Sequence, residues 1–154
     1  MKRMERLLWS IAFPGFGQLL NRQFLKGILF IFLELIVNYK ANFNQIIAYS
    51  FQGDYDRALA EAHINWLLFY PCLYFFSMWD AYKNAGEPVS RFTYLPFVFS
   101  AYFVTWGLMI SSKPDTPWSQ IGPVFFPMLC VIPGVMIGLI LKWVCEKIWK
   151  NSVH

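Results

Sequence analysis

Phe13-Pro14-Gly15-Phe16-Gly17-Gln18-Leu19-Leu20-Asn21-Arg22-Gln23-Phe24-Leu25-Lys26-Gly27 mixes a Pro-Gly break, further glycines, amides and two cations between apolar stretches. A soluble core does not place these so closely together; a membrane-entry element does. The apolar run leading into it, Leu7 to Leu20, is too short for a straight span, which takes about 20 residues. Pro14 also removes a backbone donor and clashes with the preceding turn. Residues 7–20 are therefore expected to form two short helical pieces, re-entrant or interfacial, bent at Pro14-Gly15. Non-helical backbone survives at membrane depth only under cover of other protein, so the later helices must supply that cover.

Composition points the same way. Of 154 residues, 57% are hydrophobic and 14% charged, against roughly 25% charged in an ordinary soluble domain. The apolar residues come in long runs, not in periodic stripes, which favours a bilayer as solvent. The net charge of +4 fits cations sorted to the cytoplasmic side better than nucleic-acid binding. Cys72, Cys130 and Cys145 form no CxxC pair and no metal pattern, and read as free thiols in apolar surroundings. Acylation of Cys145, beside a basic segment, is an option. The start, Lys2 to Phe13, resembles a signal peptide, but no small-x-small site follows, so cleavage is not expected.

Four spans are expected, at about 19–38, 64–80, 92–110 and 123–144, in an all-α integral membrane protein forming a single domain. Residues 1–6 read as a basic tail. In the first span Arg22 and Lys26 snorkel to the headgroups and Glu34 interrupts the outer half. In the long polar segment 38–63, Ile46 to Phe51 reads as an amphipathic piece lying on the surface. Asp54 reads as the N-cap of a helix over 57–62 that continues into the second span. Pro71 predicts a kink in that span. Gly134 and Gly138 form a small-x-x-x-small face for another helix, and Trp143 and Trp149 read as interface anchors. Ten cations (Lys2, Arg3, Arg6, Arg22, Lys26, Lys83, Arg91, Lys142, Lys147, Lys150) fall on one side of this topology and three (Lys40, Arg57, Lys113) on the other. The bias predicts both termini in the cytoplasm.

Pro14-Gly15-Phe16-Gly17-Gln18, with Asn21 and Lys26, resembles a P-G-x-G-Q-x-x-N-x-x-x-x-K motif near the start of uncharacterised small bacterial multi-span membrane proteins, including a domain family of unknown function. Asp80-Ala81-Tyr82 with Ala85 resembles the D-A-Y-x-x-A ending of a later span in such proteins. There is a looser likeness to the two-transmembrane-helix domain family. The resemblance covers roughly residues 10–85. It implies a structural unit and a bacterial plasma membrane location, and it carries no catalytic residue.

No catalytic constellation stands out. His63 and His154 do not supply a triad or metal site, and Gly15-x-Gly17 lacks the strand and third glycine of a phosphate loop. No catalytic, cofactor-binding or metal residue is assigned, and no cofactor is expected. Glu34 is an intramembrane acid, and a charge at a helix centre costs roughly 2.5–3.5 kcal/mol on insertion scales. Three readings stay open: hydrated near the outer interface, protonated or paired inside the bundle, or engaged in ion or proton movement. At the inner interface, Gln18, Asn21, Arg22, Lys26 and Asp80 form a candidate polar cluster. In it Asp80 meets Arg22 or Lys26, which share a helix face, while Gln18 and Asn21 satisfy the backbone freed at Pro14-Gly15. The competing reading pairs Asp80 locally with Lys83. The expected role is a non-enzymatic accessory subunit or scaffold, partnered by the lipid bilayer and by a membrane protein or a second copy, not by nucleic acid. A small transporter or channel component using Glu34 is the alternative, and a membrane enzyme at the cytoplasmic interface comes third.

Overall fold

The computed structural model describes residues 2–86, 88–113 and 116–152. Its elements are α1 (Lys2–Ala12), α2 (Phe16–Leu20), α3 (Phe24–Ala41), α4 (Phe43–Phe51), α5 (Tyr55–Ala60), α6 (Ile64–Leu67), α7 (Phe69–Lys83), α8 (Leu95–Ser111), α9 (Gly122–Leu129) and α10 (Val131–Ser152), with a 3-10 turn at Ser119–Ile121 before α9. There is no strand among the described residues. The helical stretch Ser119–Asn151 is the one helix among them long and apolar enough to cross a membrane. Only 33% of its most apolar window is buried inside the protein. The apolar helix α8 is shorter, with 17 residues. The expected span at 19–38 corresponds to α3, whose 18 residues include Lys26, Glu34 and Lys40. The one expected at 64–80 is divided between α6 and α7.

The layout is an antiparallel row, α3 beside α7, α7 beside α8, and α8 beside α10. Matching contacts fix the directions. Lys26 at the start of α3 meets Asp80 near the end of α7, and Glu34 meets Tyr70 further along. Tyr82 meets Phe97 between α7 and α8. Between α8 and α10, Gly134 lies on Ser100 and Gly138 on Pro96. One end of the row therefore gathers α1, α2, the end of α7, residues 88–91 and the end of α10. Arg3 donates to the Pro88 carbonyl, Arg91 stacks on Trp149, and Ser90 bonds Glu146 there. The ten cations set apart in the sequence lie on elements at this end, and Lys40, Arg57 and Lys113 at the other.

Prolines set two of the helix breaks, whereas Pro127 stays inside α9. A proline clashes with the carbonyl one turn upstream, so the interruption falls before it. Pro71 interrupts at Leu68, between α6 and α7, and not at the expected mid-span kink. Pro133 interrupts in the same way at Cys130, between α9 and α10. Pro96 sits in the first turn of α8, where its missing donor costs nothing.

Two further expectations are corrected and one is refined. Residues 2–6 are not a tail but the first turns of α1. The stretch around Ile46 forms the short helix α4, exposed along Asn44, Gln45, Ala48 and Phe51 and buried at Ile46, which joins Ala41, Ala58, Leu67, Leu108 and Val124 in an apolar cluster that closes the second end of the row. The helix capped by Asp54, whose carboxylate accepts from Arg57 N at 3.2 Å, stops at Ala60. The chain then turns so that His63 N bonds the Ala41 carbonyl at 3.3 Å, which keeps α5 separate from α6.

Candidate functional site: a polar knot beneath the N-terminal hairpin

The stretch around Pro14-Gly15 is a helical hairpin. α1 ends at Ala12 because Pro14 cannot continue it, and Gly15 adopts φ +105°, open to glycine but not to other L-residues without strain. α2 then returns beside α1. Arg6 Nε donates to Asn21 Oδ1 at 3.0 Å, and Phe13 packs on Phe16 at 5.1 Å. At Gly17 a methyl group would collide with Ser10 Oγ and stand 2.6 Å from both the Arg6 carbonyl and Ala81 Cβ. Only glycine lets α1, α2 and α7 meet there. At the apex, a side chain on Gly15 would stand 2.8 Å from Ile31 Cγ1 of α3.

The hairpin is tied to α7 by hydrogen bonds. Gly15 N donates to Ser77 Oγ at 3.2 Å, Gln18 Nε2 donates to the Ser77 carbonyl at 2.8 Å, and Asn21 Nδ2 donates to the Ala81 carbonyl at 2.8 Å. Tyr74 OH bonds the Ile11 carbonyl. Tyr74 to Asp80 spans about 9 Å of helix, which measures how far the apex stands above the charged end.

Asp80 is the hub. It is 7% exposed. Its carboxylate accepts from Lys26 Nζ at 2.9 Å, Gln18 Nε2 at 3.1 Å and Asn84 Nδ2 at 3.0 Å. One carboxylate thus joins α2, α3 and the end of α7 through charge-assisted bonds. Lys26 is half exposed, so it closes the knot on its solvent side. Lys83, the alternative partner, instead lies over Trp79 at 4.8 Å.

Of the candidate cluster, Gln18, Asn21, Lys26 and Asp80 come together and Arg22 does not. Arg22 is exposed, makes no side-chain bond among the described residues, and holds φ +61° where α2 ends. The expected job of the amides is corrected too. Gln18 and Asn21 serve the carbonyls of α7, and the backbone freed at Gly15 is satisfied by Ser77. Ser77 and Asn84 escaped the sequence reading. Their signal was their spacing from Asp80, one turn before and one turn after on the same helix face.

Glu34 is 3% exposed and lies on the buried stripe Gly27, Phe30, Glu34, Val37, Ala41 of α3. It accepts from Tyr70 OH at 2.7 Å and from Asn38 Nδ2 at 3.3 Å. It is therefore enclosed within the bundle, with Tyr70 and Asn38 as its donors. Gly134 and Gly138 both face α8: a methyl group would stand 2.6 Å from Ser100 Cα at the first and 2.8 Å from the Leu95 carbonyl at the second. That close-packing face is used inside the chain. His63 is exposed at the start of α6, and His154 lies outside the described residues. No three His, Cys, Asp or Glu side chains converge as a metal site among the described residues.

Comparison of the chain with family models, with curated proteins and with solved structures gave no match.

Proposed function

We propose that this chain is a multi-pass protein of a bacterial plasma membrane, crossing four times through α3, α6–α7, α8 and α9–α10. On this reading both termini are cytoplasmic, and the α1–α2 hairpin enters the cytoplasmic leaflet and returns. Its role is non-enzymatic: an accessory subunit or scaffold that meets a membrane protein or a second copy through its helix faces.

The observation that carries the proposal is how the polar groups are spent. Gln18, Asn21, Ser77 and Asp80 use their bonds to join the hairpin to the row. The surface left outside is apolar: Leu25, Ile28, Leu29 and Phe32 on α3, and Ile132, Met136, Leu139 and Ile140 on α10 are all exposed. Contiguous apolar surface of this kind belongs against lipid or another protein. The gathering of ten cations at one end supports the orientation, and the motif resemblance supports the bacterial location.

Reporter fusions test the topology. A reporter that needs an external location should be silent when fused after His154 and active when inserted near Lys113; the reverse pattern refutes the orientation. A photo-crosslinking residue at Leu25 or Ile132, used in native membranes, tests the role. A discrete protein adduct at one face is expected, and lipid adducts alone at both would end the accessory reading.

A second reading, a small transporter or channel component, is favoured by Glu34. Asn38 bonds both Glu34 and Asn44 Oδ1, which links the buried acid to the exposed residue Asn44 near the second end. Proton-dependent flux in proteoliposomes that is lost in Glu34→Gln would favour it over the first.

A further inference from the structure

We propose that the groove between α7 and α8 is a binding site for an anionic glycerophospholipid, with an acyl chain along the groove and the phosphate against Lys83. The proposal rests on the membrane reading above and adds a ligand to it.

The groove has a volume of about 840 Å³ and a nearly wholly apolar wall. It exists because α7 and α8 meet through large side chains. Phe75 and Trp79 of α7 face Tyr94 and Val98 of α8 across it. At the neighbouring α8–α10 contact, glycines let the backbones touch instead. Along α8 the lining runs from Tyr94 to Thr105, about 16 Å of helix. That matches one leaflet, half of a hydrocarbon core about 30 Å thick. A partner helix would need the full thickness and a wider channel, since a helix with its side chains is about 10 Å across. An acyl chain needs only the leaflet depth.

The mouth of the groove selects the headgroup. Trp79 and Tyr94 lie at the cation-rich end, where amphipathic rings sit at headgroup level. Lys83, one turn beyond Trp79, is exposed, with its ammonium over the Trp79 ring at 4.8 Å. The nearest acid on α7, Asp80, is buried and engaged by Lys26, Gln18 and Asn84, so it does not neutralise Lys83. Bulk lipid already offers apolar surroundings, so preference for one lipid must come from this charge.

The test uses the full chain extracted from membranes and exchanged into mixed micelles with equal phosphatidylglycerol and phosphatidylcholine. Native mass spectrometry then reads the retained lipid. The wild type should retain phosphatidylglycerol preferentially. Lys83→Gln should lower that preference about fivefold, the worth of one lysine near a charged surface. Val98→Trp, which adds bulk at an exposed groove position, should abolish retention, whereas Met136→Trp on α10 should leave it unchanged. Cys72, an exposed free thiol of the groove wall, gives a second readout that needs no groove-filling variant. With Cys130 and Cys145 replaced by serine, phosphatidylglycerol should slow its alkylation and phosphatidylcholine should not. Equal retention of the two lipids by the wild type, full retention by a folded Val98→Trp, or unprotected Cys72 would each overturn the site. A chain found in the soluble fraction would instead end the membrane reading itself.

Discussion

Asp80→Asn tests the knot by removing one charge while keeping the shape. In the wild type the carboxylate takes donors from Lys26, Gln18 and Asn84. The bonds from Gln18 and Asn84 would fall from charged-acceptor to neutral-acceptor strength, about 1 kcal/mol each. The Lys26 pair counts for less because its side chain is 50% exposed; a pair open to solvent contributes at most about 1 kcal/mol. The new amide must also turn its own NH2 toward a donor on one side. Together these give an expected loss of about 3 kcal/mol. Lys26→Gln keeps a donor and releases a charge that was half solvated, so it should cost about 1 kcal/mol. Equilibrium unfolding in mixed micelles with added SDS reads both values. Thiol labelling of Ser10→Cys, a fully buried position of α1, in a variant lacking the native cysteines, reports whether the hairpin has come away from α7. The reasoning is refuted if the two variants lose equal stability, or if Asp80→Asn is neutral and the thiol at position 10 stays protected.

Other outcomes follow from the same geometry. Gly17→Ala meets Ser10, Arg6 and Ala81 with no flexible neighbour to yield, so it should cost about 1–3 kcal/mol of overpacking; a neutral result in the same unfolding assay would mean the hairpin is looser than described. Arg22→Gly should stabilise the protein by up to about 1 kcal/mol by relieving a left-handed backbone at a residue whose side chain has no hydrogen-bond partner among the described residues, and a loss of stability would show that the side chain has a contact. Tyr70→Phe leaves the buried Glu34 carboxyl with only Asn38 as donor and should cost about 1–3 kcal/mol; if Tyr70→Phe combined with Glu34→Gln is no less harmful than the sum of the two alone, the pair is uncoupled.

Much of this arrangement is legible in the residues, and what is not has physical reasons. Pro14-Gly15 announces its bend because proline and a positive-φ glycine leave few alternatives. Lys26 and Asp80 announce themselves because charges in apolar runs need partners. Gly134 and Gly138 mark a close approach but not whose helix approaches: the spacing describes one surface, and the answer lies on α8. Arg22 looked as good a partner as Lys26, since both share a helical face if one helix runs through them. The chain is not helical at Arg22, so the face argument fails there. The interruption that Pro71 causes falls at Leu68 and not at mid-span, because a proline acts on the turn before it. Ser77 and Asn84 were passed over because neither residue is costly enough in a sequence to demand an explanation.

On the membrane reading, the two seams of the row use different forces. Between helices in lipid there is little hydrophobic gain, since the tails are as apolar as the side chains, and association relies on close packing and hydrogen bonds. The α3–α7 seam, with the hairpin against it, holds Glu34, Tyr70, Ser77, Gln18, Asp80 and Lys26. The contacts of α8 with α9 and α10 carry Gly107, Gly134 and Gly138 instead, each with backbone or Cys130 pressed against it. Hydrogen bonds suit the first seam because the hairpin brings irregular backbone to membrane depth, and that backbone must be satisfied there. Glycines suit the second because there the backbones of α8 and α10 come into direct contact. The motif around Pro14-Gly15 is where the two devices meet: Gly17 lets α1, α2 and α7 approach, and on the same turn Gln18 bonds α7 while Ser77 satisfies the backbone freed at Gly15.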